Sequence, residues 1–294
     1  MIFLWRKRAD VAQLIRFDRP YGTFLVMCPT LWSLLLASAG RPSAHHLVVF
    51  ILGSFLMRSA GCVANDMADY KVDAQVARTR DRPLAAGRLT HAEAWVILAI
   101  LLAFAFVLVC SLNATTFFLS FAALGVALFY PFAKRCTPLP QMILGIAFGF
   151  GVLMAWTAAR GALTRTPILL FLANLCWTMG YDTLYAMMDR DDDRKIGIQS
   201  TAILFGSHCA AAIGLLYALG VVFLFWAGRA AHMGFLYNVA LSGVAATFVQ
   251  QVRRLQAGPS RDELFVLFKA HARVGGAVLV GILLGLPNAA GLPT

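Results

Sequence analysis

Charged residues are scarce in this chain: only 13% of its 294 residues are Asp, Glu, Lys or Arg, whereas 60% are hydrophobic. An ordinary soluble domain has roughly 25% charged residues. The mean hydropathy of +0.73 therefore excludes both a soluble globular protein and a disordered regulator. The apolar residues form runs of about 20, the length that a helix needs to cross about 30 Å of hydrocarbon. The composition predicts an all-α membrane protein whose helices cross the bilayer several times.

Several other common features are missing. The six cysteines form no Cys-x-x-Cys pair and lie in or beside apolar runs, so neither a zinc site nor structural disulfides are expected. The histidines show no metal-ligand spacing. No linker rich in Pro, Gly or Ser divides the chain, which predicts a single domain over residues 1–294. Residues 1–20 lack the apolar core of a cleavable signal peptide and are interpreted as a basic amphipathic segment.

The apolar runs predict nine membrane spans, of which the last is interrupted by Lys269, His271 and Arg273. The spans lie near residues 21–39, 46–64, 91–111, 114–132, 140–159, 167–187, 202–227, 234–251 and 268–287. With a cytoplasmic N-terminus, the inner loops hold 18 of the 25 lysines and arginines, and this asymmetry predicts the orientation. Inner loops and lipid headgroups thus account for the net charge of +11, and no nucleic-acid partner is expected.

The few acidic residues are concentrated in two segments. Nine of the 14 Asp and Glu residues lie either just after the second span or at the end of the sixth. If the second span continues as a helix, Asn65, Asp69 and Asp73 lie on one face at a spacing of four. A second row, at spacings of three, four and four, consists of Asp182, Tyr185, Asp189 and Asp193. Four crossings separate the two spans, so both rows are predicted at the cytoplasmic face.

Carboxylates grouped in this way need positive partners. Like charges at helical spacing repel one another, and a carboxylate deep in a span costs roughly 2.5–3.5 kcal/mol on insertion scales. Hard divalent cations favour carboxylate oxygens, so two facing rows together with Mg²⁺ would form a receptor for a diphosphate. The alternative is a solvated loop whose acids pair with neighbouring basic residues: Lys71, Arg78, Arg80, Arg82, Arg88, Arg190, Arg194 and Lys195.

The two acidic segments resemble the signature of the UbiA-type intramembrane prenyltransferases. The first reads Asn65-Asp66-x-x-Asp69-x-x-x-Asp73 and continues with Arg78-Thr79-x-x-Arg82-Pro83 and Gly87. The second runs from Tyr181 to Asp193 and on to Ala202, and it is similar to the branch of that family that prenylates 4-hydroxybenzoate. The motif Tyr130-Pro131-Phe132-x-Lys134-Arg135 also fits. The resemblance implies a bundle of about nine transmembrane helices in the cell inner (cytoplasmic) membrane, with the active site toward the cytoplasm.

The resemblance also implies an activity and a set of roles. A polyprenyl group would pass from polyprenyl diphosphate to the ring carbon ortho to the hydroxyl of 4-hydroxybenzoate, as in ubiquinone biosynthesis, with Mg²⁺ as cofactor. The implied catalytic and metal-binding acids are Asp69, Asp73, Asp189 and Asp193, with Asn65 as a further metal ligand. The other implied substrate-binding residues are Asp66, Lys71, Arg78, Arg82, Lys134, Arg135, Asp182 and Tyr185. Membrane lipid is an expected partner, and other quinone-biosynthesis proteins are candidates.

Alternatives stay open at this level. The menaquinone, haem and chlorophyll branches of the family use related motifs. A cation transporter also keeps acids in its membrane region, although near the midplane of broken helices. Asp191 and Asp192 are expected to face water or basic neighbours.

Three further expectations concern the cations and the bundle interior. An anionic hydroxybenzoate needs a cation, and the planar fork of arginine binds a carboxylate bidentately, so Arg135 is favoured over Lys134. The alternative is that Arg135 is an ordinary cytoplasmic anchor. Arg58, inside the second span, either reaches an interior acid or extends to the interface. A bundle interior that opens sideways to lipid would exclude water and admit the prenyl tail, with Tyr185 or Phe148 facing the allylic cation.

Overall fold

The computed structural model describes residues 5–76, 79–195 and 197–286, and its regular structure in those ranges is entirely helical. A 3₁₀ turn, Gly206–His208, connects the helix Thr201–Phe205 to the helix Cys209–Ala230. The helices are α1 (Arg8–Leu14), α2 (Tyr21–Ala37), α3 (Ala44–Asp73), α4 (His91–Cys110), α5 (Ala114–Cys136), α6 (Pro140–Arg160), α7 (Arg165–Met187), α8 (Arg190–Lys195), α9 (Thr201–Phe205), α10 (Cys209–Ala230), α11 (Phe235–Gln256) and α12 (Arg261–Gly285).

The helices have the dimensions of membrane spans. Across the described residues, seven helical segments are long and apolar enough to cross a bilayer: α3, α4, α5, α6, the segment Thr201–Ala230, α11 and α12. Helix α2 is apolar but has only 17 residues, and α7 has polar side chains that face the bundle interior, including Asn174 and Thr178. The all-α, multi-pass architecture is confirmed, whereas the count of nine crossings stays a prediction.

The two acidic segments end their helices differently. Helix α3 continues to Asp73, as predicted, and so keeps its row of polar residues on one helix. Helix α7 ends at Met187, and the amides of Met188 and Asp189 donate to the carbonyls three residues earlier, at 3.1 and 3.2 Å. This tight turn separates α7 from α8. The end of α7 agrees with the predicted edge of the sixth span near residue 187. The condition for a second row, a helix that continues from Asp182 to Asp193, is not met, because the chain tightens between Tyr185 and Asp189.

The larger core lies among α2, α6, α7, α10, α11 and α12. His271, at its centre, is fully buried and accounts for the polar interruption of the last span. Trp177 Nε1 donates to His271 Nδ1 at 2.8 Å, and Tyr217 Oη lies 2.9 Å from Nε2. Because an indole N–H can only donate, Nδ1 accepts and the ring proton lies on Nε2. The imidazole is therefore neutral and fully bonded.

A smaller core fixes the N-terminal segment on the bundle. Leu14 of α1 is fully buried against α3, α4 and the loop between them, with Val11 and Ile15 packed beside it. Trp5 and Phe17 are largely exposed. Val11, Leu14 and Ile15 thus pack inward as one side of the segment, whereas Phe17, which was expected beside them, does not. This packing also places the end of α1 beside the acidic end of α3.

Candidate active site

The first row of acids lies at the C-terminal end of α3 and faces inward. Since side chains three and four residues apart share a helix face, Asp66, Asp69 and Asp73 are buried together, at 1%, 2% and 7% exposure. Asn65 lies beside them and is partly buried. A buried carboxylate requires a positive partner, because an unpaired charge away from water is very costly. The three carboxylates have such partners, so α3 is not a solvated acidic loop.

Arg82 connects the two outer carboxylates of this row. It lies in the loop after α3, and its Nη1 donates to Asp66 Oδ1 at 3.0 Å and to Asp73 Oδ2 at 2.7 Å. The loop itself is held on α3 because the hydroxyl of Thr79 donates to the carbonyl of Asp73 at 3.0 Å. One guanidinium therefore bridges two acids.

Asp69, between them, is bound by the two basic residues at the end of α5. Lys134 Nζ donates to Asp69 Oδ2, and Arg135 Nη2 lies 3.4 Å from Oδ1 and 2.9 Å from the carbonyl oxygen of Ala68. Lys134 also acts electrostatically on Asp182 of α7. Charges thus connect α3, α5 and α7 at one end of the bundle.

A third cation on α3 comes from the N-terminal segment. Arg16 Nη2 donates to both carboxylate oxygens of Asp66, at 2.7 and 2.8 Å. The backbone of Arg16 is left-handed, with a φ of 58°. Phe17 N donates to the carbonyl of Ala12 and Arg16 N to that of Gln13, which is a Schellman ending of α1, where glycine is the usual residue. A larger residue in that conformation costs on the order of 1–3 kcal/mol.

The guanidinium of Arg16 is fixed from two sides. Its Nη1 donates to the carbonyls of Gln13 and Leu14, at 2.8 and 3.3 Å, and so caps the end of α1. Burial disfavours the charge, but the Asp66 carboxylate and its hydrogen bonds favour it more strongly and raise the pKa of Arg16 above its usual value. Arg16 therefore stays charged at the edge of the acidic row.

The second acidic segment lies at the same end of the bundle. Asp189 is buried, and its Oδ1 accepts from Arg261 Nη2, on the first residue of α12, at 2.6 Å. Asp193 follows one turn later and is partly exposed. Asp182, further back on α7, has no hydrogen bond or ion pair with any residue in the described ranges. The segment therefore offers one paired and one unpaired inward carboxylate.

The remaining acids of that segment are peripheral. Asp191 is 82% exposed and lies 3.9 Å from Arg190, and Asp192 is 41% exposed and lies 3.5 Å from Lys195. Such exposed pairs contribute little to stability. The prediction that these two acids face water and basic neighbours is confirmed.

A cavity of about 520 Å³ extends from these charges into the bundle. It reaches along α3 as far as Val49, about 25 Å at a rise of 1.5 Å per residue. Its inner end is apolar. Its polar end is lined by charged and amide side chains from four parts of the chain: Arg16, Arg19, Arg58, Asn65, Asp66, Asp81, Arg82 and Asp182. Residues of both acidic segments therefore line one cavity.

Aromatic side chains surround the junction between the polar and apolar parts. Tyr185 packs on Phe268 with ring centroids 4.7 Å apart, and Tyr21 meets Phe268 edge-on at 5.8 Å. These three rings line the cavity, as do Tyr130 and Phe148. The π-face of an aromatic ring attracts a cation. The wall is thus suited to a carbocation as well as to an apolar chain.

The cavity also opens sideways. Phe106 of α4 and Phe121 of α5 both line it, yet they are 52% and 51% exposed on the lipid-facing surface of the bundle. The cavity therefore reaches that surface between the two helices. This agrees with the expected lateral opening.

The structure separates the predicted basic residues. Arg58 lines the cavity and has no carboxylate at ion-pair distance in the described part of the chain. Its positive charge does interact electrostatically with Asp182. Arg135 is 48% exposed, and neither it nor Lys134 lines the cavity. Lys71 is exposed, lies over the ring of Tyr70 at 5.8 Å and does not line the cavity. Arg78 lies outside the described residues.

Prediction from the sequence missed two residues of this site. Arg16 binds an acid 50 positions away, and Arg261 binds one 72 positions away. No local motif surrounds either arginine, and the separations exceed any helical spacing. The only available signal was a charge at the edge of an apolar segment.

The donor set suits Mg²⁺, although not as an all-protein cage. Within residues 5–76, 79–195 and 197–286, no three His, Cys, Asp or Glu side chains are grouped closely enough to hold an ion alone. Mg²⁺ is usually bound by one or two carboxylates together with phosphate oxygens and waters. Buried carboxylates and an amide beside an open cavity match that mode.

Comparison with known proteins agrees with this geometry. Residues 26–272 match the model of the UbiA prenyltransferase family. A 4-hydroxybenzoate octaprenyltransferase of Pseudomonas aeruginosa (strain LESB58) is 51% identical over 240 residues, 82% of this chain and 81% of that protein. One of Serratia proteamaculans (strain 568) is 48% identical over 275 residues, 93% and 94% of the two chains.

Solved structures share the fold. A UbiA homolog from Aeropyrum pernix K1 superposes with a TM-score of 0.78 at 29% identity, covering 87% of this chain and 96% of that one. A UbiA homolog from Archaeoglobus fulgidus, bound to GPP and Mg²⁺, superposes with a TM-score of 0.72, covering 94% and 99%. At 15% identity, the second likeness concerns the fold alone.

Proposed function

The chain belongs to the UbiA prenyltransferase family, and we propose on this basis that it transfers a polyprenyl group from polyprenyl diphosphate to 4-hydroxybenzoate. The new bond forms at the ring carbon ortho to the hydroxyl, a step of ubiquinone biosynthesis. Relatives that share about half of its residues have this activity in their names. The observation that carries the proposal is the single cavity whose polar end joins both acidic segments and whose apolar part opens sideways.

The polar end binds the diphosphate. Asn65, which lines the cavity, and Asp69, Asp73, Asp189 and Asp193, which lie near its polar end, are the residues that would hold Mg²⁺, since they supply hard oxygen donors from both acidic segments. When bound, Mg²⁺ neutralises the charge of the diphosphate as a leaving group. In this structure the acids are paired with basic side chains. When the donor enters, those basic side chains can leave the acids and bind phosphate oxygens.

Basic side chains orient the leaving group. Arg82 and Lys134 already lie on the carboxylates of α3, and charge-assisted hydrogen bonds from such groups stabilise developing negative charge on phosphate. Arg78 keeps the same role as a prediction. Lys71 is not assigned to this role, because it is exposed and does not line the cavity.

The carbon chemistry takes place just inside this end. The allylic C–O bond breaks, and its electron pair leaves with the diphosphate. The allylic cation, facing the ring of Tyr185, attacks the electron-rich ring carbon, and a proton is then lost. Asp182 is the carboxylate assigned to the acceptor's hydroxyl, since it faces the cavity without a partner in the described ranges. Apolar walls exclude water, which would otherwise convert the cation to an alcohol.

Arg58 is the cation that fits the acceptor's carboxylate. It lies in the cavity wall, whereas Arg135 is half exposed and bound to Asp69. This assignment replaces Arg135, the residue favoured by sequence, because a cation outside the wall cannot reach a ring inside it. We expect Arg58→Gln to raise the KM for 4-hydroxybenzoate at least tenfold, about 1.4 kcal/mol, with little effect on donor KM. The matched Arg135→Gln variant should leave acceptor KM within about twofold; the opposite pattern would restore the sequence assignment.

The whole chain acts as one transmembrane domain over residues 1–294, in the cell inner membrane. The acidic end of the cavity faces the cytoplasm, because the loops at that end hold most of the basic residues. Direct donor access from the lipid phase then follows from the side opening at Phe106 and Phe121.

A defined assay tests the activity. Membranes containing the chain are incubated with 4-hydroxybenzoate, octaprenyl diphosphate and Mg²⁺, and lipid extracts are searched by mass spectrometry for the prenylated acid. Membranes without the chain provide the control. Prenylation of another aromatic acceptor, with none of 4-hydroxybenzoate, would instead place the chain in a different branch of the family.

A further inference from the structure

Arg16 is the least expected side chain at the polar end of the cavity. It comes from a surface segment that precedes the first long helix, and its partner Asp66 is the acid nearest to Asn65 in the cavity wall. The rest of that segment makes ordinary contacts: Leu14 packs in the smaller core, and Asp10 pairs with Arg88 at 2.6 Å. Among the described residues, Arg16 is the one that connects this segment with the site by a charge pair.

The backbone of Arg16 would favour another residue. Its left-handed φ of 58° completes the Schellman ending of α1, a position where glycine has no steric cost. An arginine in this conformation lowers the stability of the helix end but places a guanidinium in the cavity wall. Strain of this kind persists where the surroundings fix it and is concentrated at functional sites.

Asp66 is bound from two sides. Two guanidinia, of Arg16 and Arg82, bind one Asp66 carboxylate. Arg82 has a second acid, Asp73, whereas Asp66 is the carboxylate that Arg16 binds in the described residues. Asp66 therefore keeps a partner if Arg16 turns away. The guanidinium of Arg16 is thus the one that an incoming anion can recruit most easily.

We propose that Arg16 is a donor-binding residue whose guanidinium passes from Asp66 to a diphosphate oxygen when polyprenyl diphosphate enters. The inference rests on the proposed function. A carboxylate and a phosphate present the same pair of oxygens to a guanidinium fork, so the exchange needs only a side-chain movement.

Direct binding of geranyl diphosphate with Mg²⁺, measured on purified protein without acceptor, provides the test. Loss of one charge-assisted hydrogen bond predicts at least tenfold weaker binding for Arg16→Gln. Arg16→Lys should recover part of the loss. Arg16→Gly, which removes the strain together with the charge, should bind as weakly as Arg16→Gln. In turnover, donor KM should rise while acceptor KM stays within about twofold.

Two controls separate this role from a structural one. Arg88→Gln removes a guanidinium that holds the same segment through Asp10 and Gln13 but does not line the cavity; it should bind geranyl diphosphate within about twofold of wild type. The Asp66→Asn/Arg16→Gln double variant should stay at least tenfold weaker than Asp66→Asn alone, because an arginine that merely neutralises Asp66 becomes dispensable once that charge is gone.

The outcomes discriminate clearly. The donor-binding role would be overturned if Arg16→Gln or Arg16→Gly bound geranyl diphosphate with wild-type affinity. It would also be overturned if the double variant bound as tightly as Asp66→Asn. Unchanged thermal unfolding shows that each variant is folded. Equal loss in Arg88→Gln would also overturn the donor-binding role, since docking of the segment would then be sufficient. A wild-type protein that neither binds geranyl diphosphate nor prenylates 4-hydroxybenzoate would refute the proposed function itself.

Discussion

Asp69→Asn is the substitution that most directly tests the assignment of the acids. Asp69 is only 2% exposed and is bound by Lys134 and Arg135. The amide keeps the size of the side chain and removes its charge. If Asp69 helps to hold the cation and the diphosphate, turnover should fall at least tenfold, which corresponds to about 1.4 kcal/mol of barrier.

The same change also disturbs stability, so the two effects must be separated. Removing one partner of a buried ion pair typically costs about 3–5 kcal/mol, and less is expected here because Lys134 and Arg135 reach solvent. Removing both charges can be nearly neutral. The Asp69→Asn/Lys134→Met double variant should therefore regain much of the lost thermal stability while remaining at least tenfold slower than wild type.

Initial rates at saturating substrate, with Tm measured on the same preparations, decide the matter. Asp192→Asn serves as the matched control, since Asp192 is 41% exposed and pairs only with a surface lysine; its rate should stay within about twofold of wild type. A normal rate in Asp69→Asn, or equal losses in both single variants, would refute the division between site acids and surface acids.

Three further predictions concern the metal, the topology and the core. Excess EDTA should lower turnover at least tenfold and added MgCl₂ should restore it; full turnover in EDTA would contradict a divalent-cation requirement. In a background lacking exposed cysteines, Arg80→Cys and Lys195→Cys should react with a membrane-impermeant thiol reagent only from the cytoplasmic side and Leu163→Cys only from the other, and opposite sides for the first two would disprove a shared face. His271→Phe leaves the buried Trp177 N–H on α7 and the buried Tyr217 hydroxyl on α10 without their partner, at about 1–3 kcal/mol each, so Tm should fall while both KM values hold; an unchanged Tm would show that the network is not stabilising.

The local spacing of apolar and polar residues made the helices and the polar face of α3 predictable. Apolar runs of bilayer length predicted the helices, and the spacing of Asn65, Asp69 and Asp73 predicted an inward polar face, because both depend on residues within a few turns of one helix. The alternation of loops predicted that the two acidic segments lie at one face. The sixth span was predicted to end near residue 187, where α7 does end. The same information could not show that the chain tightens just after it, since a single tightened turn leaves no compositional mark.

Long-range contacts decided the rest of the site. The pairs Arg16–Asp66 and Arg261–Asp189 join residues 50 and 72 positions apart, and only the packing of α1 and α12 against the bundle brings them together. The same packing puts Arg58 inside the cavity and leaves Arg135 outside its wall. Sequence thus determined which helices form and which faces are polar, whereas the tertiary structure decided which cation meets which acid, because hydrogen bonds act over about 3 Å and that proximity is set by how the helices pack.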